Sequence, residues 1–224
     1  MKQIFYAIII STLLSGCAGL GKISKTVNQS TETIAATPQQ HDWLTINLPD
    51  SAATHNTFTK GQNYFVPALV YWGWNSTLNC EIAPYTSALL VRNAIYKAAD
   101  ELQLKQHLGD KKVVINLQQA PGKFVYENKG DVVYLLFVTV SDIKESITPV
   151  PVDLQATYEL HSPVDQTFKA TTTIPNQEQK ITNSWSSKKG FTRAHLNSLN
   201  LEAQRMGTEL VKQIIARHGS TVSQ

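Results

Sequence analysis

The groups in this chain that could carry chemistry are histidines, two cysteines and one adjacent pair of carboxylates, Asp100 and Glu101. The six histidines are far apart, at positions His41, His55, His107, His161, His195 and His218. No two have the spacing of metal ligands, and no hydrolase, phosphate-loop or dinucleotide motif is present. The sequence predicts no catalytic residue, no metal site and no cofactor. A hydrolase whose serine, histidine and aspartate meet only in the fold stays an alternative.

The cysteines predict two different roles. Cys80 follows the aromatic stretch "YWGW" and has no basic neighbour that would lower the pKa of its thiol. We therefore expect a buried, unpaired residue near the start of the first long helix. Cys17 lies at the end of an N-terminal apolar run, Ile4 to Leu14, which follows the positively charged Lys2. Such a run has the length of a signal-peptide core and is too short for a membrane span.

Leu14-Ser15-Gly16-Cys17 resembles the lipobox of bacterial lipoproteins. The resemblance implies a signal peptide over residues 1–16, cleavage before Cys17 and acylation (palmitate) of the Cys17 thiol. Ala18 follows the cysteine, and by the sorting rule of enteric bacteria this residue implies an outer-membrane lipoprotein facing the periplasm. The polar stretch up to about residue 40 predicts a flexible tether.

The charge and length of the chain limit the expected partners and the expected number of domains. The formal net charge is +3 without any basic block, so nucleic acid is not an expected partner. Residues 41–218 are long enough for one globular domain with a sizeable core, and residues 219–224 are expected to be a disordered tail. The expected partners are the membrane, through the lipid, and an envelope protein or lipid; a homo-oligomer is compatible with the sequence.

Hydrophobic periodicity predicts strands and two long helices. One helix opens at Pro84 and reaches about His107, and the other runs from about Thr192 to Arg217. His107 and His218 fall at the helix C-termini, where a cation suits the helix dipole. The expected strands are 63–74, 112–118, 124–127, 132–140, 152–161 and 167–174, with "NKGD" at residues 128–131 as a hairpin turn.

The element order favours an α+β fold, a mostly antiparallel β-sheet with two long helices packed on one face. Together with the lipobox, this order resembles periplasmic auxiliary lipoproteins of envelope transport and assembly, such as the partners of ABC-type lipid transporters and the lipopolysaccharide-assembly and curli-secretion lipoproteins. The resemblance covers about residues 60–217 and transfers no functional residue. It implies a non-enzymatic lipoprotein that binds a partner protein or lipid, with a small-ligand-binding module as a second alternative.

The stretch around Tyr71, Trp72 and Trp74 is the predicted partner-binding surface. Alternation along residues 63–74 gives two apolar faces, and residues 132–140 behave in the same way, whereas 152–161 has one polar face. Helices can cover only one side of a sheet. Either the segment Trp43–Leu48 covers the other side, or a partner does, because monomers seldom expose large apolar patches.

Overall fold

The fold is α+β, as the sequence predicts. The computed structural model describes residues 20–34, 41–49, 53–61, 64–68, 70–135, 138–162, 167–184 and 186–218. In chain order its elements are α1 (described over residues 20–31), β1 (Leu44–Asn47), β2 (Thr57–Lys60), β3 (Tyr64–Pro67), β4 (Tyr71–Glu81), α2 (Pro84–Glu101), α3 (Leu104–Leu108), β5 (Lys112–Gln119), β6 (Lys123–Leu135), β7 (Val138–Pro149), β8 (Leu154–His161), β9 (Phe168–Ile174), β10 (Ile181–Asn183) and α4 (Lys188–His218).

The described strands form two sheets rather than the single sheet expected. The first has the order β1-β5-β8-β9, with β1 parallel to β5 and the other pairs antiparallel. The second has the order β10-β7-β6-β4-β2, and β3 pairs with the outer part of β4. The two long helices α2 and α4 cover one face of the first sheet, and α4 continues onto the second.

The first sheet is amphipathic in the way the sequence predicts. Leu154, Ala156, Tyr158 and Leu160 of β8 are buried against the helices, while Glu159 and Gln155 face outward. The helix that opens at Pro84 ends earlier than expected, at Glu101. Gln103 there adopts a left-handed backbone (φ 51°), which turns the chain so that α3 buries its own leucines before Gly109 ends it.

The N-terminal segment differs from the expected flexible tether. Residues 20–31 form α1, and its apolar residues Leu20, Ile23 and Val27 are buried. They pack in one cluster with Leu78 and Phe124 of the second sheet and with the first half of α4. Their spacing of three and four residues is helical, a pattern hidden among many Ser, Thr and Asn residues. Residues 35–40, the predicted tail and Cys17 lie outside the described residues.

The predicted hairpin turn at residues 128–131 is wrong. β6 runs straight through these residues to Leu135, and β7 returns from Val138, with Leu135 opposite Val138. Glycine is required at position 130 because a Cβ there would overlap the Trp74 ring. The glycine therefore permits close packing of an aromatic ring on the strand, and the chain reverses between Leu135 and Val138 instead of at "NKGD".

The predicted single strand over residues 63–74 is a hairpin. β3 ends at Pro67, the Ala68 N–H donates to the Tyr71 carbonyl, and β4 runs back antiparallel. Proline at the end of an outer strand is where a residue without an N–H is tolerated. The reversal changes the faces: Phe65 lies opposite Trp74, and Tyr64 lies opposite Asn75.

Candidate functional site

The second sheet extends well beyond the helices that cover it. Its base, residues 78–81, 123–127 and 145–149 of β4, β6 and β7, is covered by α1 and α4. Its outer part, which we call the arm, comprises β3 with residues 71–77, 128–135 and 138–144 of the same three strands. No described residue of the arm belongs to either buried cluster. Strands β4, β6 and β7 pair continuously from base to arm, so the arm is a direct extension of the base.

One face of the arm carries an aromatic cluster. The Trp72 ring meets Phe65 edge-on at 5.7 Å between centroids and Tyr134 at 6.4 Å. These side chains share a face because Trp72 lies opposite Val132 and neighbouring strands are in register. Trp74 lies two residues further along, on Gly130, and its indole N–H donates to Asn128 Oδ1 at 3.2 Å. This face continues the helix-covered face of the base.

The opposite face of the arm is apolar at its tip and polar nearer the base. Tyr71 lies over Gly73, and its hydroxyl donates to Asp131 Oδ1 at 2.5 Å. That hydrogen bond to a carboxylate raises the pKa of Tyr71. Val140 pairs with Val133, two rows from the last pair, Leu135 and Val138, and is 54% exposed.

The tip is formed by the outer ends of the β3–β4 and β6–β7 strand pairs, which lie side by side. The Tyr134 N–H donates to the Val70 carbonyl at 2.8 Å, which places the β3–β4 turn beside the end of β6. Leu135 is 58% exposed and Val138 is 60% exposed. Apolar side chains with this exposure at adjoining loops form a surface suited to binding an apolar partner.

The three residues predicted from the sequence come together in the arm. Tyr71 is exposed, whereas Trp72 and Trp74 are half-buried and on the opposite face. Phe65 and Tyr134 belong to the same surface and were missing from the prediction. The signal that could have found them is the pair of uncharged stretches at residues 64–74 and 132–140, read as neighbouring hairpins.

A polar cluster links the base of the sheet to α4. The Tyr126 hydroxyl donates to Glu145 at 2.9 Å, and the Lys188 ammonium lies 3.1 Å from Glu145 and 3.3 Å from the tyrosine oxygen. Burial and the neighbouring Glu145 carboxylate raise the pKa of Tyr126, so this phenol stays protonated. Burial would raise the pKa of Glu145, but hydrogen bonds from Asn183 and Tyr126 and the Lys188 charge lower it overall. The cluster positions the start of α4.

The histidines do not converge. Buried His195 packs edge-on against Phe124 at 4.3 Å, and burial lowers its pKa to about 4, so it is neutral at pH 7. His218 lies at the end of α4 as predicted, but burial lowers its pKa, which disfavours the cationic role expected there. Among the described residues no group of histidine, cysteine, aspartate and glutamate could hold a metal ion.

Cys80 is a buried free thiol close to the start of α2, as predicted. Burial raises its pKa to about 12, which makes the thiolate scarce at neutral pH. Cys80 therefore has the character of a small core residue.

A cleft of about 430 Å³ lies at the start of α2, between that helix and the strands beside it. Its walls include Ser87, which is buried and whose hydroxyl has no hydrogen-bond partner. Glu81 and Lys123 pair at 2.9 Å on its rim. The cleft can hold a small polar molecule.

Comparison with protein-family models, with curated proteins and with solved structures gave no match to this chain. The functional argument therefore rests on the residues and their geometry. No helix in the described ranges is both long enough and apolar enough to cross a membrane.

Proposed function

We propose that the protein is a non-enzymatic lipoprotein, held on the periplasmic face of the outer membrane, whose arm binds a partner protein or lipid in envelope transport or assembly. The observation that carries the proposal is the exposure of Leu135, Val138 and Val140 at the tip. Removing apolar surface from water contributes about 25 cal/mol per Å². A partner that covered this surface would gain that free energy.

The segment of the chain that could have covered the arm packs in the first sheet. The segment expected to shield the aromatic strand contains β1, which pairs with β5 in the other sheet. Leu44 and Ile46 of β1 are buried there against α2 and α4. On the second sheet, α1 and the first half of α4 pack their apolar residues on the base, and α2 adds Leu90 there. This distribution supports binding at the arm over burial by the chain itself.

The anchor in this proposal is the acylated Cys17 that the lipobox implies. Leu20 is already buried in α1, so only three residue-to-residue steps separate it from the predicted lipid-bearing Cys17. Those steps can span at most about 11 Å. The domain would therefore lie directly on the membrane surface, without the long tether expected from composition.

Removing the lipid acceptor tests the anchor. Cys17→Ala should leave an unprocessed precursor without incorporated fatty acid, detected by radiolabelled palmitate and by intact-mass analysis. Cys80→Ala is the matched control, because it removes the other cysteine and should leave labelling unchanged. A Cys17→Ala protein that is still matured and fractionates with the outer membrane would contradict the anchor.

Photo-crosslinking in living cells tests the arm. A photoreactive amino acid in place of Leu135 should give adducts with a specific envelope protein or with lipid. The matched control is Leu201, an exposed leucine on α4 that is 65% accessible and distant in the fold from the arm. Equal labelling at both positions would show that the arm is not a binding surface.

A small-ligand-binding function is the second candidate, favoured by the cleft with the unpartnered Ser87 hydroxyl. Native mass spectrometry of protein purified with its lipids would detect a retained small molecule. Loss of that molecule in Ser87→Ala, with the arm variants unaffected, would favour this function.

A further inference from the structure

We infer that the tip of the arm inserts into one leaflet of the lipid bilayer that carries the protein's own anchor. The inference rests on the proposed function and selects a bilayer, rather than a protein, as the arm's partner. Four features of the arm support it: exposure on two faces, the length of the uncharged tip, the direction of its polar atoms, and its closeness to the anchor.

The apolar side chains at the tip point to both faces of the sheet. Leu135 and Val140 are exposed on one face, and Tyr134 is exposed on the other. A folded protein partner normally docks on one side and leaves the other in water. The interface between headgroups and acyl chains surrounds an inserted object on every side, so a two-faced apolar tip fits a bilayer better.

The uncharged part of the arm has a length that fits one leaflet. No charged residue occurs among described residues 64–68, 70–74, 132–135 and 138–141. The first charges are Asp131 and Asp142, which face each other, each four residues from the tip of its strand. Four residues of strand span about 13 Å. Apolar groups that lie in the membrane interface are buried by about 5–10 Å. The uncharged tip is therefore long enough to enter the interface of one leaflet while the open edges of β3 and β7 stay near water, as their unpaired backbone groups require.

The polar atoms of the aromatic side chains point from the tip toward the base. The Tyr71 hydroxyl reaches across Gly73 to Asp131, two rows nearer the base. The Trp74 indole N–H likewise reaches Asn128, also two rows nearer the base. Tyrosine and tryptophan adopt this orientation at membrane interfaces, with the ring toward hydrocarbon and the polar atom toward water.

The charged residues that lie between the aromatic residues and the base of the sheet are balanced in sign. Lys144 pairs with Asp142 at 2.6 Å, and Lys129 lies opposite Lys144 on the neighbouring strand. With Asp131, two positive and two negative residues lie on one face of the sheet, in two rows that the Gly130–Ile143 row separates. Attraction to anionic headgroups therefore contributes little, and insertion should depend on apolar contact and only weakly on salt.

The predicted anchor holds the arm within reach of the same bilayer. Leu20 shares a buried cluster with Leu78. On β4, Leu78 is the first residue of the base and directly follows the arm. Because at most about 11 Å of chain separates Leu20 from Cys17, the membrane surface and the arm are within one domain length of each other. The high effective concentration that anchoring produces lets even weak insertion persist.

Depth-dependent quenching in proteoliposomes tests the inference with the full mature lipoprotein. Val138→Cys is labelled with the fluorophore NBD, while Cys80 stays buried and unlabelled. The protein is reconstituted into vesicles of phosphatidylethanolamine and phosphatidylglycerol that contain spin-labelled lipid. We expect blue-shifted emission and strong quenching at position 138. NBD on Leu201→Cys, the matched control, should emit as in water and stay unquenched.

Charge substitutions at the tip provide the second measurement. Leu135→Asp should reduce the inserted fraction about tenfold or more, given the cost of placing a carboxylate among acyl chains. Val140→Asp serves as an independent variant, and unchanged circular dichroism and thermal midpoint in both would show that they fold. Raising the salt concentration should change insertion less than twofold.

The outcomes separate this inference from the proposed function. Water-like, unquenched emission at position 138 overturns bilayer insertion. If Leu135 still crosslinks to an envelope protein in cells, the proposed function stands with a protein as partner. If neither quenching nor arm-specific crosslinking occurs, both are wrong.

Discussion

The base and the arm of the second sheet are built from the same three strands, yet their side chains follow different patterns. In the base, Leu78, Tyr126 and Ile147 lie beneath α1 and α4, and the other face is mainly polar. In the arm, neither face is polar at the tip. Where the helices cover one face of the strands, the other face is polar. Where the strands extend beyond the helices, that polar face is lost.

The helical cover stops where the pattern changes, because α4 begins there: Lys188, its first residue, pairs with Glu145 at 3.1 Å. A layer of polar side chains, among them Asn128 and Glu145, separates the last buried row from Trp74. Glu145 and Asn128 are also the groups that bind Tyr126 and Trp74 through hydrogen bonds. This layer supplies polar partners on both sides and so allows one continuous sheet to serve two environments.

The largest expected contrast is between two phenylalanines. Phe124→Ala in the base should lower the free energy of unfolding by about 3–5 kcal/mol, because it empties a position that is 1% exposed. Phe65→Ala in the arm, where the side chain is 44% exposed, should cost less than about 1 kcal/mol. Urea unfolding followed by circular dichroism measures both. Equal losses would mean that the arm is as much a part of the core as the base.

A pH dependence should originate in the base. The pKa of buried His195 is about 4, below the ordinary 6.5, so the unfolded chain binds a proton more readily. The stability that neutral His195 contributes to the fold is complete above pH 6.5 and is lost as the pH falls toward 4. Between pH 7 and pH 5 we expect a loss of about 2 kcal/mol.

His195→Leu should flatten this dependence, while His55→Gln at an exposed position should not. The measured range stops at pH 5 because two carboxylates would add their own effect below it. The fold lowers the pKa values of Glu145 and Glu202, so their protonation destabilises the fold only below about pH 4.5, the ordinary pKa of a glutamate. A slope that persists in His195→Leu would assign it to another group.

Gly130→Ala tests whether the arm has its own packing. The new Cβ would overlap the Trp74 ring, and because the arm is not enclosed the ring can move, at a cost of about 1–2 kcal/mol. In Trp74→Ala the same substitution should cost almost nothing, and a double-mutant cycle measures the coupling. An equal cost in both backgrounds would mean that Gly130 is required for backbone conformation, as a turn would need.

The smallest effect on stability is expected from a cysteine placed in the arm. Cys80 should react with a thiol reagent only after denaturation, whereas Ser141→Cys, at an exposed arm position, should react at once and leave the unfolding free energy unchanged. Timed labelling read by mass spectrometry compares the two. Rapid reaction of Cys80 in native protein would show that the base opens as readily as the arm.

Several features followed from local sequence alone. Pro84 begins α2 because its missing N–H is harmless in a first turn, and Gly109 ends α3 because glycine accepts a positive φ. The alternation of residues 154–161 identified a half-buried strand, and helical spacing identified most of α4. Each of these signals depends on a residue and its neighbours within about one turn of chain.

Other features were decided by contacts between distant segments. Gly130 reads as a turn residue from its neighbours, and only the Trp74 ring across the sheet explains why it lies within a strand. The composition of residues 20–31 suggests a tether, and only the cluster with Leu78 and Phe124 makes them a buried helix. Trp72 and Tyr134 are 62 positions apart by number, and strand register alone brings their rings together. Sequence thus determined which segments are apolar, whereas tertiary packing decided which of them the helices cover, because coverage depends on where α1 and α4 lie on the sheets.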